Sequence, residues 1–416
     1  MKYAVAKGPK SKLAVAVAAV VIGFAGQTFA DEALTLEDAL KGGKADFSFR
    51  YRFENVDDDG RDNEGRASTL KSRFTYTTQT YKDFQVQLEV DNVSRIGGDN
   101  YDDLHNSNTD RGVVADTDGT AFNQAWVAYT GIDDTTLKAG RQRINLDNQR
   151  FVGGVGWRQN EQTYDGVTIV NTSLADTTAV YAYVQNVERI FGPDDGRDGT
   201  PAANSNLETE AHIFNINYTG LGFGTLSGYA YLLDMDDLPD ASTQTFGARF
   251  TGSQGDETKL LYTAEYARQS DYKDSSKSFD ADYYTVEAGV QAKGITGKVG
   301  YEVLGADDDK GSFSTPLATL HKFQGFADKF LATPGDGVED TYASVFTKVM
   351  GAKVGVIYHD FEADEGSVDY GDEIDFVVAK QIQKNVHLLF KYANYNGKDH
   401  SKTDAQKAWL QLTVKF

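Results

Sequence analysis

The chain has 416 residues, no cysteine, 41 Lys and Arg against 62 Asp and Glu, and 12% aromatic residues. Without cysteine there is no disulfide framework, thiolate metal site or cysteine nucleophile, and a formal charge of −21 excludes the phosphate neutralisation that nucleic-acid binding requires. No apolar run of the roughly twenty residues needed for a membrane helix occurs beyond the N-terminus, which excludes a helical membrane protein.

The first predicted element is a leader. Lys2, Lys7, Lys10 and Lys12 make a basic start, the stretch from Leu13 to Phe24 is apolar, and Thr28-Phe29-Ala30 precedes Asp31. This is the pattern of a secretory signal peptide over 1–30, its apolar part too short to span a bilayer. With Asp31 rather than cysteine after the cut, no lipid anchor is expected. Its removal takes four lysines and no acid, so the exported chain is still more acidic. Residues 31–43 form a short N-terminal periplasmic segment in which Ala33, Leu36 and Leu40 share one helical face.

From residue 44 the period changes from 3.6 to 2. In Asp46-Phe47-Ser48-Phe49-Arg50-Tyr51-Arg52-Phe53-Glu54 every odd position is aromatic and every even one polar, and residues 84–91 and 284–291 repeat the alternation. Such a pattern gives strands with one apolar and one polar face. Eighteen are expected, at 44–55, 66–79, 82–94, 120–130, 135–145, 161–171, 176–188, 207–218, 222–235, 241–253, 257–270, 278–293, 296–306, 337–350, 352–362, 368–382, 384–394 and 404–416. Most reach the length a tilted strand needs to cross a membrane. Connections after even-numbered strands are tight, as at Gly294-Ile295 and Gly351, whereas those at 95–119, 189–206 and 307–336 are long and polar. That asymmetry predicts an all-β fold: one transmembrane antiparallel up-and-down β-barrel over 44–416, with short periplasmic turns and long extracellular loops. The segment at 31–43 then lies at the periplasmic mouth of the barrel or tucks inside it. The last strand alternates from Trp409 to Phe416 and ends on an aromatic residue, an ending that resembles the signal by which such barrels are inserted.

With the apolar face toward lipid, the polar face lines a lumen. Arg50, Arg52, Lys71 and Arg73 then form a basic arc on the first two strands, joined across the closure by Lys391, and Glu265, Glu287 and Glu302 stand on the far wall. Opposed walls would set a transverse field that orients polar solutes; the alternative is local pairing, for example of Arg73 with Glu89 or Asp91. Arg141, Arg143, Arg150 and Arg158 lie on or beside the fifth and sixth strands with uncertain parity, and Arg141, Arg143 and Arg158 join the substrate-binding or pore-lining candidates. In the longest loop, Leu317, Leu320, Phe323, Phe326, Ala327, Phe330 and Leu331 fall at helical spacing, predicting an amphipathic helix that folds into the pore, caps it or packs on the rim. The acidic loop clusters complete no calcium-binding loop, so no metal and no cofactor is expected. Six histidines offer only weak nucleophile neighbours, as at His400-Ser401 and His359-Asp360, so no enzyme is expected.

Two stretches carry more than barrel composition. One runs through Gly140-Arg141-Gln142, Arg150-Phe151-Val152-Gly153, Gly156-Trp157-Arg158-Gln159 and Tyr164-Asp165-Gly166-Val167; the other is Thr315-Pro316-Leu317-Ala318-Thr319-Leu320-His321-Lys322-Phe323 followed by Gly325-Phe326-Ala327-Asp328-Lys329-Phe330-Leu331. Both resemble the alginate export family of outer-membrane barrels. The resemblance implies a monomeric, closed, 18-stranded channel in the outer membrane of a Gram-negative cell. The expected function is porin-like passive diffusion of small hydrophilic solutes, anionic or saccharide. Dedicated export of an anionic polysaccharide such as alginate is the alternative, and a structural or adhesion barrel a further one. Expected partners are outer-membrane lipid and lipopolysaccharide, the barrel-assembly machinery during insertion, and the solutes or oligosaccharides themselves.

Overall fold

A computed structural model describes residues 35–197, 203–308, 310–399 and 402–416; the leader expected at 1–30 lies outside them. A six-residue helix, α1 (Leu36–Lys41), opens the described chain, with Thr35 and Asp38 forming a capping box. It docks on the turn that follows the second strand, where the Gln79 N–H donates to Ala39 O. Ala39 is buried there and Leu40 is exposed, so the packed face is one residue away from the one the apolar spacing indicated.

The alternating segments then form strands in chain order: β1 (Lys44–Asp58), β2 (Gly65–Thr77), β3 (Phe84–Arg95), β4 (Gly119–Ile132), β5 (Thr135–Gln142), β6 (Thr163–Asn171), β7 (Thr177–Glu188), β8 (Asn206–Tyr218), β9 (Gly224–Met235), β10 (Thr243–Gln254), β11 (Thr258–Asp271), β12 (Asp280–Ala292) and β13 (Ile295–Leu304). After a small hairpin of β14 (Ala306–Asp307) and β15 (Gly311–Ser312), the series ends with β16 (Val338–Val349), β17 (Ala352–Glu362), β18 (Asp369–Gln383), β19 (Val386–Gly397) and β20 (Ala405–Lys415). All but the hairpin form one 18-stranded antiparallel sheet, and the pairing of β1 with β20 closes it. The closing register runs from Ser48 opposite Lys415 to Asp58 opposite Ala405. All eighteen expected barrel strands are present, and the short turns and long loops sit on opposite ends as anticipated.

Each strand separates its two faces. On β1, Phe47, Phe49 and Phe53 are exposed, while Arg52, Glu54 and Val56 are each 1% exposed. Arginine and glutamate are therefore inside and phenylalanine outside, the reverse of a water-soluble sandwich and the arrangement a lipid environment demands. The interior is filled by two of the long loops, and their apolar residues Phe151, Val152, Phe313, Leu317 and Phe330 join inward-facing Tyr164, Tyr229, Tyr283 and Trp409 in one core.

The amphipathic helix expected in the longest loop does not form. One turn of 3-10 helix at Leu320–Lys322 stands in its place. Left-handed backbone at Gln324 (φ 55°), Gly325 (φ 81°) and Asp328 (φ 59°) breaks any α-helix over this stretch. The apolar residues that suggested the helical period pack individually: Leu317, Ala327 and Phe330 are buried, whereas Leu331 is exposed.

Candidate functional site

The two loops at 143–162 and 305–337 fold into the barrel from its long-loop end and meet there. Val152 and Leu317 pair as a parallel bridge. The Gly153 N–H donates to Leu317 O (2.9 Å) and the Thr319 N–H to Gln149 O (3.0 Å), while Gln162 Nε2 and the Tyr164 hydroxyl also donate into this junction. The sequence permits the approach because residue 153 is glycine: a Cβ there would come 2.3 Å from Thr319 Oγ1. Gly325 is the second such position, since its Cβ would lie 2.3 Å from Glu373 Oε2. Glu373 and Asp375 on β18 in turn accept the backbone N–H groups of Ala327 (2.7 Å) and Phe326 (3.0 Å).

On the β1–β5 side the first loop is fixed by charge. Glu161 meets Lys71 (3.2 Å), Arg73 (2.8 Å) and Arg143. Burial alone would raise its carboxyl; the three cations outweigh that and hold it well below the usual carboxylate range. Asp91 shares two of the same cations, at 3.0 Å from Lys71 and 2.6 Å from Arg73. Arg50 donates to Gln159 Oε1 and Gly156 O, both 2.8 Å, and to Arg158 O. Arg52 donates to Gln411 and to Trp157 O (2.6 Å each) and lies over the Trp157 ring. Arg158 bridges Glu54 (3.2 Å) and Asp328 (3.3 Å), tying both loops to β1. Arg141 holds Asp165 (2.8 Å) and Glu188 between β5, β6 and β7.

Trp157 stacks on His321 with ring centroids 4.2 Å apart, and the Lys391 ammonium lies over the rings of Trp157 and Phe326. Lys391 Nζ donates to His321 Nε2 (2.9 Å), which leaves Nδ1–H to donate to Asp328 (2.8 Å). Burial, against the pull of Asp328, pushes His321 down to about 3, so the ring stays neutral.

The acids of the far wall are also partnered. Glu265 meets Arg249 (3.1 Å), Glu287 meets Lys298 (2.8 Å), and Glu302 meets Arg150 (2.9 Å), an arginine that reaches it from the first loop. Of the two arrangements expected for these charges, opposed walls or local pairing, the side chains are found in local pairs. The basic arc exists in register, with Arg50 opposite Lys71 and Arg73 opposite Asp91, but its charges are spent on carboxylates and loop carbonyls.

Between the far wall and the second loop lies a cavity of about 920 Å³. It reaches from Phe323 and Gln324 to the short-turn end at Lys293-Gly294, and its lining holds six cations (Arg249, Lys293, Lys298, Lys322, Lys348, Lys353) against three acids (Glu287, Glu302, Asp340). Desolvation, with Arg249 and Lys298 close by, lowers Lys322. A second cavity of about 510 Å³ opens among the long loops, lined by Leu238, Phe279, Ser314, Thr315 and neighbouring residues. Among the described residues no three His, Asp or Glu side chains converge to hold a metal.

The family model for alginate export matches residues 44–350, most of the barrel. The chain belongs to the alginate export family. It is an outer-membrane β-barrel, and the family is one of channels. No curated protein matches its sequence. Among solved structures this family member is similar to Pseudomonas aeruginosa OccK9 (OpdG), at TM-score 0.69 and 14% identity over 91% of this chain and 100% of that one. It is also similar to P. aeruginosa OpdK crystallised with vanillate, at 0.70 and 12% over 91% and 99%, and to Acinetobacter baumannii OccAB4, at 0.68 and 15% over 90% and 98%. These likenesses show the shared barrel fold.

Several residues of this exporter-family barrel were not among the expected site residues, although Trp157, His321 and Asp328 lie in the stretches that resemble the family. Glu161, Trp157, His321 and Asp328 sit on loops, where no period announces which side chain turns inward. Arg249, Lys298, Glu373 and Asp375 lie on polar strand faces, and their parity alone could have placed them inside.

Proposed function

We propose that the barrel is a channel for passive diffusion of small hydrophilic solutes across the outer membrane, with a preference for anionic and saccharide ones. The observation that carries this is the 920 Å³ cavity, whose lining has twice as many cations as carboxylates in a chain of net charge −21. Low-dielectric walls focus such a field on whatever enters. Tyr283, Phe323 and Tyr342 stand among the charges, supplying flat apolar faces suited to sugar rings and to aromatic acids of the kind present in the OpdK crystal.

In this reading Glu287, Glu302 and the cavity cations face solute. Arg50, Arg52, Lys71, Arg73, Arg143, Arg158 and Lys391 anchor the loops that narrow the lumen, Arg141 ties β5 to β6 and β7, and Glu265 holds Arg249. His321 and His359 commit ring nitrogens to Asp328, Lys391 and Asp340, an arrangement suited to scaffolding rather than to activating a nucleophile, so we propose no enzymatic activity. We also propose a monomer, in contact with lipid and lipopolysaccharide and inserted by the assembly machinery. Export of a long anionic polysaccharide draws only weak support from the family match, and it would require the joined loops to part.

The test is liposome swelling with size-matched neutral and acidic sugars and with benzoate-type acids. Acidic solutes should enter faster than neutral ones at low ionic strength. Equal rates would remove the anionic preference, and absence of swelling with every solute would remove the channel.

A further inference from the structure

Residues that line the two cavities are bonded to one another through a layer of side chains. Thr315 lines the cavity among the long loops, and Glu302 and Tyr283 line the cavity that reaches the short-turn end. Arg150 joins the two linings. Its Nη1 donates to Thr315 Oγ1 (3.3 Å) and its Nε to Glu302 Oε1 (2.9 Å), while the Tyr283 hydroxyl donates to the same Glu302 oxygen (2.9 Å). Phe151 and Phe313 complete the layer, each within 6 Å of the Tyr283 ring centroid.

The loops that carry this layer are held unevenly. Toward β1–β5 and β18 they are gripped by Glu161, Arg158 and the pair Glu373 and Asp375. Toward the β9–β13 wall the attachments include Arg150 to Glu302, the exchange of hydrogen bonds between Gln269 and Ser314 (2.8 and 2.9 Å), hydrogen bonds of Gly305 and Asp307 with the backbone of β12, and ring contacts of Phe151 with Tyr229 and Tyr231 and of Phe313 with Tyr283. Ring contacts tolerate sliding because they have no directional donor to break, and the ion pair of Arg150 with Glu302 is the bond that must be exchanged there, whereas parting the other side would expose several buried charges at once.

We propose that the two cavities are successive chambers of one route along the β9–β13 wall, closed by the Arg150–Glu302–Thr315 layer, and that solute passes when loop segments 149–153 and 313–319 swing from the wall about their clamped side. This rests on the channel reading and adds where the barrier is and which way it moves. Arg150 is a gating residue that trades Glu302 for passage, and the stationary wall of the gate is β11 to β13.

The natural chain has no cysteine, so a cross-link can be placed without background. Gln269→Cys and Ser314→Cys, introduced together, would flank the gate. The purified full-length channel is studied in planar bilayers after treatment with a short bifunctional methanethiosulfonate or with a monofunctional reagent of matching size. The bridge should cut conductance at least tenfold, reductant should restore it, and the monofunctional reagent should leave most of it. Unchanged conductance in the bridged channel would overturn the gate and leave the channel reading intact. Equal block by both reagents would also overturn it, by showing occlusion without motion. An unmodified barrel that folds, shows heat-modifiable mobility and never conducts would overturn both readings together.

Discussion

The β1–β5 side of the lumen and the β10–β17 side carry similar residues and use them in opposite ways. On the first, Lys71, Arg73 and Arg143 converge on one loop carboxylate, Glu161, which is buried among them. On the second, Lys298 and Lys322 border a cavity that remains open. A cation becomes an anchor where a loop supplies the carboxylate; where the loop stops short it keeps a lighter partner, Glu287 for Lys298 and Asn148 O for Lys322, and still borders open space. The basic arc stands out in the sequence by its density, yet the sparser lysines opposite it have the freer environment.

Breaking the clamp should give the largest effect. Glu161→Gln leaves three cations around a neutral amide, and losing one partner of a buried ion pair costs about 3–5 kcal/mol. The 143–162 loop should detach, raising single-channel conductance severalfold and lowering the midpoint of heat-modifiable mobility. Unchanged conductance would mean that the loop is held by its junction with the second loop instead.

A smaller effect is expected where the attachment is neutral. Gln269→Ala removes the hydrogen bonds to Ser314, each worth about 1 kcal/mol net. Opening events in bilayer recordings should become more frequent at unaltered barrel stability, and a stability loss as large as that of Glu161→Gln would erase the distinction between the two sides.

Charge reversal in the cavity sharpens the comparison further. Lys322→Glu should shift the reversal potential toward cations and slow acidic sugars while sparing neutral ones of equal size. The shift should fade in 1 M salt, where the Debye length is about 3 Å. Should Arg50→Glu produce the larger shift, selectivity would belong to the arc after all.

The smallest effect concerns pH. His321 has its folded value pushed down from 6.5 to about 3, so below 6.5 the undocked loop takes up protons more readily than the docked one. Its contribution to loop docking is therefore level above pH 6.5 and declines as pH falls from 6.5 toward 3. Limited proteolysis of the 305–337 loop across that window should show the decline, and His321→Gln should flatten it.

The barrel was legible because a strand with one face toward lipid must alternate, and residues 46–54 do so without exception. Turn lengths added the orientation of the two ends. The partners of the basic arc were half legible: Asp91 lies one strand away and is the local partner that the sequence suggests for Arg73, but Glu161 is brought in by a loop whose path no local rule encodes. The expected helix over 317–331 failed for a related reason. Its apolar spacing was real, but each of those side chains answers to a different neighbour, and Glu373 and Asp375 hold the backbone N–H groups of residues 326 and 327 in a bent path. Local periodicity speaks for a segment with one continuous surface to cover, and an infolded loop has several.

The pairing of β1 with β20 has a consequence for assembly. Every other ladder in the sheet joins strands adjacent along the sheet's own sequence, so hairpins can form early with little loss of chain entropy. The ladder from Ser48 opposite Lys415 to Asp58 opposite Ala405 joins strands from opposite ends of the sheet, and non-local contacts of this kind form slowly. A sheet not yet closed by this ladder has two unpaired edges, and such edges are prone to pairing with another chain. Birth of the barrel is therefore a single late event, and whatever shields those two edges in the interval decides how much of the protein reaches its membrane.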